Sequence, residues 1–335
     1  MMFKQKFITG RSDDMVKNTA VDSGKYATKI AVAKDGNIEH GKFRTCMDRD
    51  IEKSSSDIGT YGVEFEGKKY LLGNQARNQD FSDSKHADIH RIATYTALAS
   101  DYAGLGHGDH VNVAIGCTLQ MYANKDIRKA YKNFIAPQNT DIDIVVNGKR
   151  KLFHIDRSFV FPESSGVIYL NPEKYADSVV GVIDIGGLNA NCCIYENLVP
   201  KAGSDVFTCD LGGNILSRDT AMLVEQTGTG HLSDYLIDRM MIDNGLKKGS
   251  HEASAKIVRE CKLKHVQKIY DECIRHGWNL DFTEIVFTGG SANWLKDEIM
   301  QVFPYYDIDN LDSDADFKNV DGYLMQMLSR LHVAI

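Results

Sequence analysis

Two stretches of this sequence end an apolar run in an aspartate and place a glycine two residues later: Val21-Asp22-Ser23-Gly24-Lys25 and Ile183-Asp184-Ile185-Gly186-Gly187-Leu188-Asn189. A carboxylate at a strand end can hold water on a magnesium ion, which keeps several waters and needs only one or two protein carboxylates. Glycine turns the chain tightly and lets backbone N–H groups approach phosphate oxygens without a Cβ in the way. Lys29, seven residues after Asp22, can reach back to a phosphate from the next strand of a hairpin, and Asn189 can donate to one from the second loop. One copy alone reads more readily as an ordinary hairpin turn. Two copies, each opening half of the chain, read as a clamp with one carboxylate on each side.

Two further stretches join them. Phe287-Thr288-Gly289-Gly290-Ser291-Ala292 runs a β-branched and aromatic strand into glycines and a helix start, a combination suited to a phosphate or a flat base packed on backbone. Phe161-Pro162-Glu163-Ser164-Ser165-Gly166 falls between the halves, where a connecting helix begins. Glu163 there either orients a water for attack on a γ-phosphate or stabilises the first helical turn.

The elements that must position these residues form an internal repeat. In each half an apolar strand, a glycine turn, a second strand and a further turn (Asp35-Gly36-Asn37 or Glu196-Asn197) make a β-meander. In the first half, helices follow at 87–102 and 124–135, a buried strand at 111–116, and a hairpin of 142–146 and 151–161 turning at Asn147-Gly148. The segment from Asp48 to Gly73 shows only short strand signals, at 63–65 and 70–72. The second half predicts helices at 214–226 and 250–276, a strand at 284–288, a helix from Ser291 to Val302, and a last helix at 320–331 that crosses back to the first half. Strands alternating with helices after antiparallel openings give an α/β class with mixed sheets.

Length and composition bound the function. A chain of 335 residues is too long for one ordinary core and fits two domains. The net charge of −7 and the absence of a Lys/Arg run argue against direct DNA binding. No stretch of about 18 apolar residues suggests a membrane span. Met1 to Lys17 lacks the apolar core of a secretory signal and reads as an extension, an edge strand or an arm to a neighbour. The seven cysteines form no C-x-x-C pair and are expected to be buried free thiols of a reducing cytoplasm.

Other chemistries fail on spacing. No P-loop, dinucleotide or H-E-x-x-H pattern is present. Asp312-x-Asp314-x-Asp316 lacks the glycine and the terminal glutamate of a calcium loop and reads as a solvated acidic turn. The eleven histidines show no ligand clustering.

Taken in order, the motifs resemble the actin, sugar-kinase and heat-shock-chaperone ATPase superfamily over roughly residues 18–330, with Asn319-Val320-Asp321-Gly322 similar to its second connecting motif. The length and the Pro-Glu-Ser motif resemble most the ParM-type plasmid-segregation actins. The resemblance implies an actin-like fold: two related ribonuclease-H-like domains around a nucleotide cleft. They comprise residues 18–165 plus 318–335 and residues 166–317, after the 1–17 extension. It implies ATP (GTP as the alternative) and Mg2+ as cofactors, with Asp22 and Asp184 positioning the hydrated metal. Ser23, Gly24, Lys25, Lys29, Gly186, Gly187 and Asn189 would grip the phosphates. Glu163 and Asp184 would be catalytic, and Gly289, Gly290 and Ser291 would line the nucleoside. It further implies cytoplasmic filaments of this chain that move plasmid DNA through a DNA-binding adaptor at a centromere, with no membrane. Two other readings share these motifs: a small-molecule kinase of the same fold, which would need an acceptor other than water, and a nucleotide-binding regulator that does not turn over. Lys25-Tyr26-Ala27 departs from the small polar residues often seen in the family's first loop.

Overall fold

The computed structural model describes residues 16–51, 57–80, 82, 84–249 and 251–333. The expected extension therefore lies mostly outside the described residues, and its last residue, Lys17, opens the first strand. In chain order the first half contains β1 (Lys17–Ser23), β2 (Ala27–Lys34), β3 (Asn37–Arg44), β4 (Met47–Arg49), β5 (Thr60–Phe65), β6 (Lys68–Gly73), α1 (Asp88–Ala99), β7 (Asp109–Cys117), α2 (Leu119–Ala123), α3 (Lys125–Ile135), β8 (Thr140–Val146) and β9 (Lys149–Pro162). Short helices α4 (Gly166–Leu170) and α5 (Pro172–Tyr175) lead to β10 (Val179–Ile185), β11 (Ala190–Glu196), β12 (Val199–Pro200), β13 (Val206–Cys209), α6 (Gly213–Val224), α7 (Asp234–Ile242), α8 (His251–Arg275), β14 (Glu284–Thr288), α9 (Lys296–Val302), β15 (Tyr306–Asp307) and α10 (Lys318–Leu331).

The strands form two mixed sheets. The nine-stranded sheet has the order β3-β2-β1-β7-β9-β8-β5-β6-β4, and the six-stranded sheet runs β12-β11-β10-β14-β15 with β13 paired to β11. The internal repeat is real at the level of register. In each copy the hairpin is antiparallel, and the strand that ends in aspartate pairs in parallel with a later strand, β7 or β14.

Side-chain size decides what packs on each face. Ala31, Ala20 and Ala114 occupy one rung across β2, β1 and β7. Their small side chains let α10 settle close, through Val320, Tyr323, Leu324 and Met327. The next rung, Ile30, Val21 and Ile115, points to the opposite face and meets the cluster around α1. A full aliphatic side chain buried this way contributes about 1.5–3 kcal/mol. In the second sheet Ile183, Ile185 and Phe287 face the core beneath α6 and α8, while Val182, Cys193 and Val286 face α4 and Tyr175.

The halves meet where α4 and α10 cross. A Cβ on Gly166 would lie 2.3 Å from the Lys318 carbonyl oxygen, and one on Gly322 would lie 2.2 Å from that of Gly166. Backbone therefore touches backbone at the crossing. The expected return of the last helix to the first half is observed, since α10 packs on β1, β2 and β7. The expected helix from Ser291 begins instead as a 3₁₀ turn, Ala292–Leu295, before α9. All seven cysteines are free, with Cys46, Cys117, Cys192, Cys193 and Cys273 buried.

Candidate nucleotide site

The site is built from the two repeated hairpins. In the first, the Gly24 N–H donates to the Ala27 carbonyl at 3.1 Å. In the second, the Gly186 N–H donates to the Asn189 carbonyl at 2.9 Å. Each turn thus closes over the same span and leaves its aspartate at a buried strand end. Asp22 stands directly across β1 and β2 from Lys29, and Asp184 directly across β10 and β11 from Asn191. Lys29 and Asn191 are therefore repeat equivalents, a cation in one half and an amide in the other.

Glycines let the neighbouring strands approach these carboxylates. A Cβ on Gly116, at the end of β7, would lie 3.0 Å from Asp22 Oδ1. A Cβ on Gly289, whose φ is +96°, would lie 2.5 Å from Asp184 Oδ1. Beyond the second hairpin, Gly213 and Asn214 at the start of α6 donate to the Gly186 and Gly187 carbonyls at 2.9 and 2.8 Å. Ser291 Oγ fills the space a Gly213 side chain would need. Gly186, Gly187, Gly289, Gly290 and Ser291 are thereby assembled into one surface from segments about a hundred residues apart in sequence. Gly212-Gly213, which sequence reasoning did not single out, completes it. Tyr26 explains the departure in the first loop: its ring lies against Gly187 of the second loop, and the Arg44 guanidinium sits 4.6 Å from the ring centroid.

Between the hairpins lies a buried ionic network. Lys85 Nζ is 2.9 Å from Asp22 Oδ1 and 2.5 Å from Glu163 Oε1. Asn191 Nδ2 donates to Glu163 Oε2 at 2.9 Å and is itself oriented by the Thr208 hydroxyl, which donates to its Oδ1 at 2.9 Å. On the other side, Asn319 Nδ2 donates to Asp184 Oδ2 at 2.7 Å. No side chain caps α4, so Glu163 serves the network rather than the first turn of that helix. The next residue, Ser164, is fully buried with φ +65°, a left-handed conformation that L residues other than asparagine and aspartate seldom adopt.

The electrostatics of the two aspartates differ. Burial works to raise the Asp22 carboxyl, but the ammoniums of Lys85 and Lys29 outweigh it and hold it below the usual carboxylate range. Asp184 is pushed up to about 6, first by burial and then by Glu163 and Asp22, against the pull of Lys29 and Asn319. Lys85 stays charged: burial disfavours its ammonium, yet Asp22 and Glu163 hold it well above its ordinary range. An acid cluster with one member under-compensated is the donor set that a divalent cation fits. Asp184, Asp22 and hydrating water would hold it.

The remaining predicted residues are placed as follows. Ser23 is turned to His90, its Oγ 3.1 Å from His90 Nδ1. His90 is kept neutral, its pKa pushed down to about 4 by burial and by Lys85. Lys25 and Asn189 are half-buried on their loops. Lys29 sits 3.4 Å from Asp316, which also pairs with Lys42 at 2.6 Å. This corrects the reading of Asp312 to Asp316 as a solvated turn: Asp316 lies over Gly290, against the lysine of the first hairpin. Asp312 instead caps the Asp314 N–H and pairs with Lys318 at 2.6 Å.

Comparison with known proteins agrees with this fold. Residues 20–166 match the family model of the actin-like protein N-terminal domain. The chain has an actin-like fold. The archaeal actin homologue Ta0583 superimposes on it with a TM-score of 0.75 at 17% identity, over 94% of this chain and 100% of that one. The Alp12 filament structure gives 0.70 at 23% identity, over 94% and 99%. The filament of AlfA from B. subtilis plasmid pLS32 gives 0.65 at 17%, over 93% and 99%. Ta0583 has also been solved with ADP, and an AlfA filament with AMPPNP. No curated protein matches the sequence. The actin-like fold expected from five short motifs is thus matched over 94% of the chain. Among the described residues, no helix is long and apolar enough to cross a membrane.

Proposed function

We propose that this chain is an actin-like protein that binds and hydrolyses ATP, assembles with its own copies into nucleotide-dependent filaments, and moves plasmid DNA in the cytoplasm through a separate DNA-binding adaptor. The observation that carries this reading is the position of Glu163, tied by Lys85 to the first aspartate loop and by Asn191 to the second. A carboxylate suspended between two phosphate-binding loops responds to their separation, so a change in the cleft on assembly would reach the hydrolytic group directly.

In this mechanism, the loops Ser23 to Lys25 and Gly186 to Asn189 hold the phosphates by backbone N–H groups other than those of Gly24 and Gly186, which close the turns, and Lys29 adds charge. Gly289, Gly290 and Ser291 support the nucleoside. A magnesium ion would neutralise phosphate charge, with Asp22 and Asp184 as its carboxylates. Glu163 accepts a hydrogen bond from the attacking water and orients it; a carboxylate has about four acceptor positions, so the bonds from Lys85 and Asn191 leave room. Self-association is supported by apolar side chains exposed on adjacent helices: Met222 and Leu223 on α6, Tyr235, Leu236 and Ile242 on α7. The acidic net charge of −7 favours an adaptor, rather than this chain, as the DNA-contacting partner.

The test is to mix the protein with magnesium-ATP, follow light scattering and phosphate release together, and inspect the pelleted material by negative stain. Filaments that appear with nucleotide and shrink as phosphate is released are expected. A solution that stays clear across protein concentration and salt would overturn the filament reading. Turnover that then required a small-molecule acceptor would establish a kinase of the same fold.

A further inference from the structure

Far from the cleft, β8, β7 and β9 bring together two histidines and two aspartates. His110 on β7 is the direct cross-strand partner of His154 on β9, and Asp141 on β8 is the partner of His154 on the other side. One rung across three strands therefore reads Asp141, His154, His110. The register of β7 and β9 then shifts: Val111 pairs with Ile155, but Asn112 pairs with Arg157, which leaves Asp156 as the extra residue of a bulge. Bulges re-aim side chains. Here Asp156 Oδ1 lies 2.7 Å from His110 Nδ1 and 3.7 Å from His154 Nε2, between the two imidazoles. This corrects the expectation of no ligand clustering: two of the eleven histidines, His110 and His154, are brought together by the strand pairing.

We infer that His110, His154 and Asp156 form a binding site for a zinc-class divalent ion, with Asp141 as the group that orients His154. Potential ligand atoms of the three residues all lie within 4.8 Å of one another. In a tetrahedral zinc site, with bonds near 2.0–2.1 Å, ligand atoms stand about 3.3–3.5 Å apart. Small rotamer changes in these partly exposed side chains close that gap. The Asp141 contact is an independent sign of a metal ligand: Asp141 Oδ1 lies 2.7 Å from His154 Nδ1, so Nδ1–H donates to it and Nε2 faces Asp156 and His110. A carboxylate behind a histidine is how proteins fix the tautomer and the direction of a metal-ligating imidazole. Simple surface ion pairing explains each contact singly, at about 0–1 kcal/mol. It does not explain why the bulge delivers one carboxylate to both rings while a second fixes the orientation of one. Two imidazoles select zinc, cobalt, nickel or copper over magnesium and calcium. Water would complete the coordination. Asp156 and Pro162, the last residue of β9 and the neighbour of Glu163, are about 20 Å apart along the strand at ~3.3 Å per residue, so this site and the nucleotide site hold different ions.

The test is titration of the full chain with Co2+ in excess Mg2+, followed by visible absorption, with Zn2+ as competitor. One Co2+ per chain is expected, with the d–d bands of a four-coordinate nitrogen–oxygen site, displaced by Zn2+. His110→Ala, His154→Ala and Asp156→Asn should each weaken binding at least tenfold. Asp141→Asn should weaken it about tenfold, as loss of an orienting carboxylate does. Nucleotide affinity should not change. Asp156→Asn preserves shape, so loss of Co2+ in that variant does not report unfolding. Binding that persists unchanged in both His154→Ala and Asp156→Asn, no Co2+ binding by the parent chain, or a spectrum with thiolate charge-transfer bands would each overturn the assignment.

Discussion

Asn191, on the second strand of the second hairpin, donates its amide to Glu163, three residues before the connecting helix α4 begins, at 2.9 Å. Glu163 is thus positioned by a residue of the opposite half. Glu163→Ala is expected to retain nucleotide binding and to lose turnover by a factor of about 10²–10⁴, the usual scale for a positioned acid–base group. Asn191→Ala should lower turnover by about tenfold at unchanged nucleotide affinity, because only the orientation of Glu163 is lost. Phosphate release under saturating nucleotide, set beside equilibrium binding, separates the two effects. Unchanged turnover in Glu163→Ala would remove that residue from the mechanism.

Lys85 holds two carboxylates at once, with its side chain 2% exposed. Removing one partner of a buried ionic group leaves the other uncompensated, a loss of about 3–5 kcal/mol. Lys85→Met should therefore melt well below the parent chain. Added Mg2+ should raise its melting temperature more than it raises the parent's, since a cation near Asp22 replaces part of the missing charge. A variant that melts like the parent, with the same response to Mg2+, would show that the network contributes little.

What the sequence could and could not reveal follows from the range of each signal. The Asp22 and Asp184 hairpins are local: an apolar strand, a glycine turn and a return strand all lie within about a dozen residues. Their repetition is legible without structure. Lys85 is not, because it lies 63 residues from Asp22 in a polar stretch of serines and aspartates with no period. Asn191 was within reach: it stands seven residues after Asp184 as Lys29 stands after Asp22, and aligning the repeats position by position would have found it. Asp316 was missed for the opposite reason. Its neighbours make a convincing acidic turn, and only the fold carries it to Lys29. The same holds for His110 and His154, whose proximity exists only in the pairing of β7 with β9.

Asp184 sets a pH dependence. Its folded pKa of about 6 lies above the ordinary 3.8, so the ligand-free fold takes up a proton between these values that the unfolded chain does not. This group alone makes the empty protein more stable as pH falls through 6. Cation binding needs the carboxylate, so magnesium-nucleotide affinity should move the other way, weakening as pH falls below about 6. Asp184→Asn should bind more weakly throughout and lose that dependence. Affinity measured from pH 5 to 8 checks it, and a flat profile in the parent chain would show that Asp184 does not bind the ion.

The crossing of α4 and α10 transmits strain to the same aspartate. The Asn319 amide joins the two: its Oδ1 accepts from the Gly166 N–H at 3.3 Å while its Nδ2 donates to Asp184 at 2.7 Å. One turn later, a Cβ on Gly322 would stand 2.2 Å from the Gly166 carbonyl oxygen and 2.4 Å from its Cα, both backbone atoms that cannot rotate away. Gly322→Ala must therefore push α10 off α4, at about 1–3 kcal/mol for an overpacked contact. Asn319 moves with α10, so Asp184 loses its amide partner. The expected result is a lower melting temperature together with weaker magnesium-nucleotide binding, although residue 322 is not one of the residues assigned to the nucleotide. A drop in melting temperature with unchanged affinity would mean that α4 and α10 can part without disturbing Asp184, and that the helix crossing is structural only.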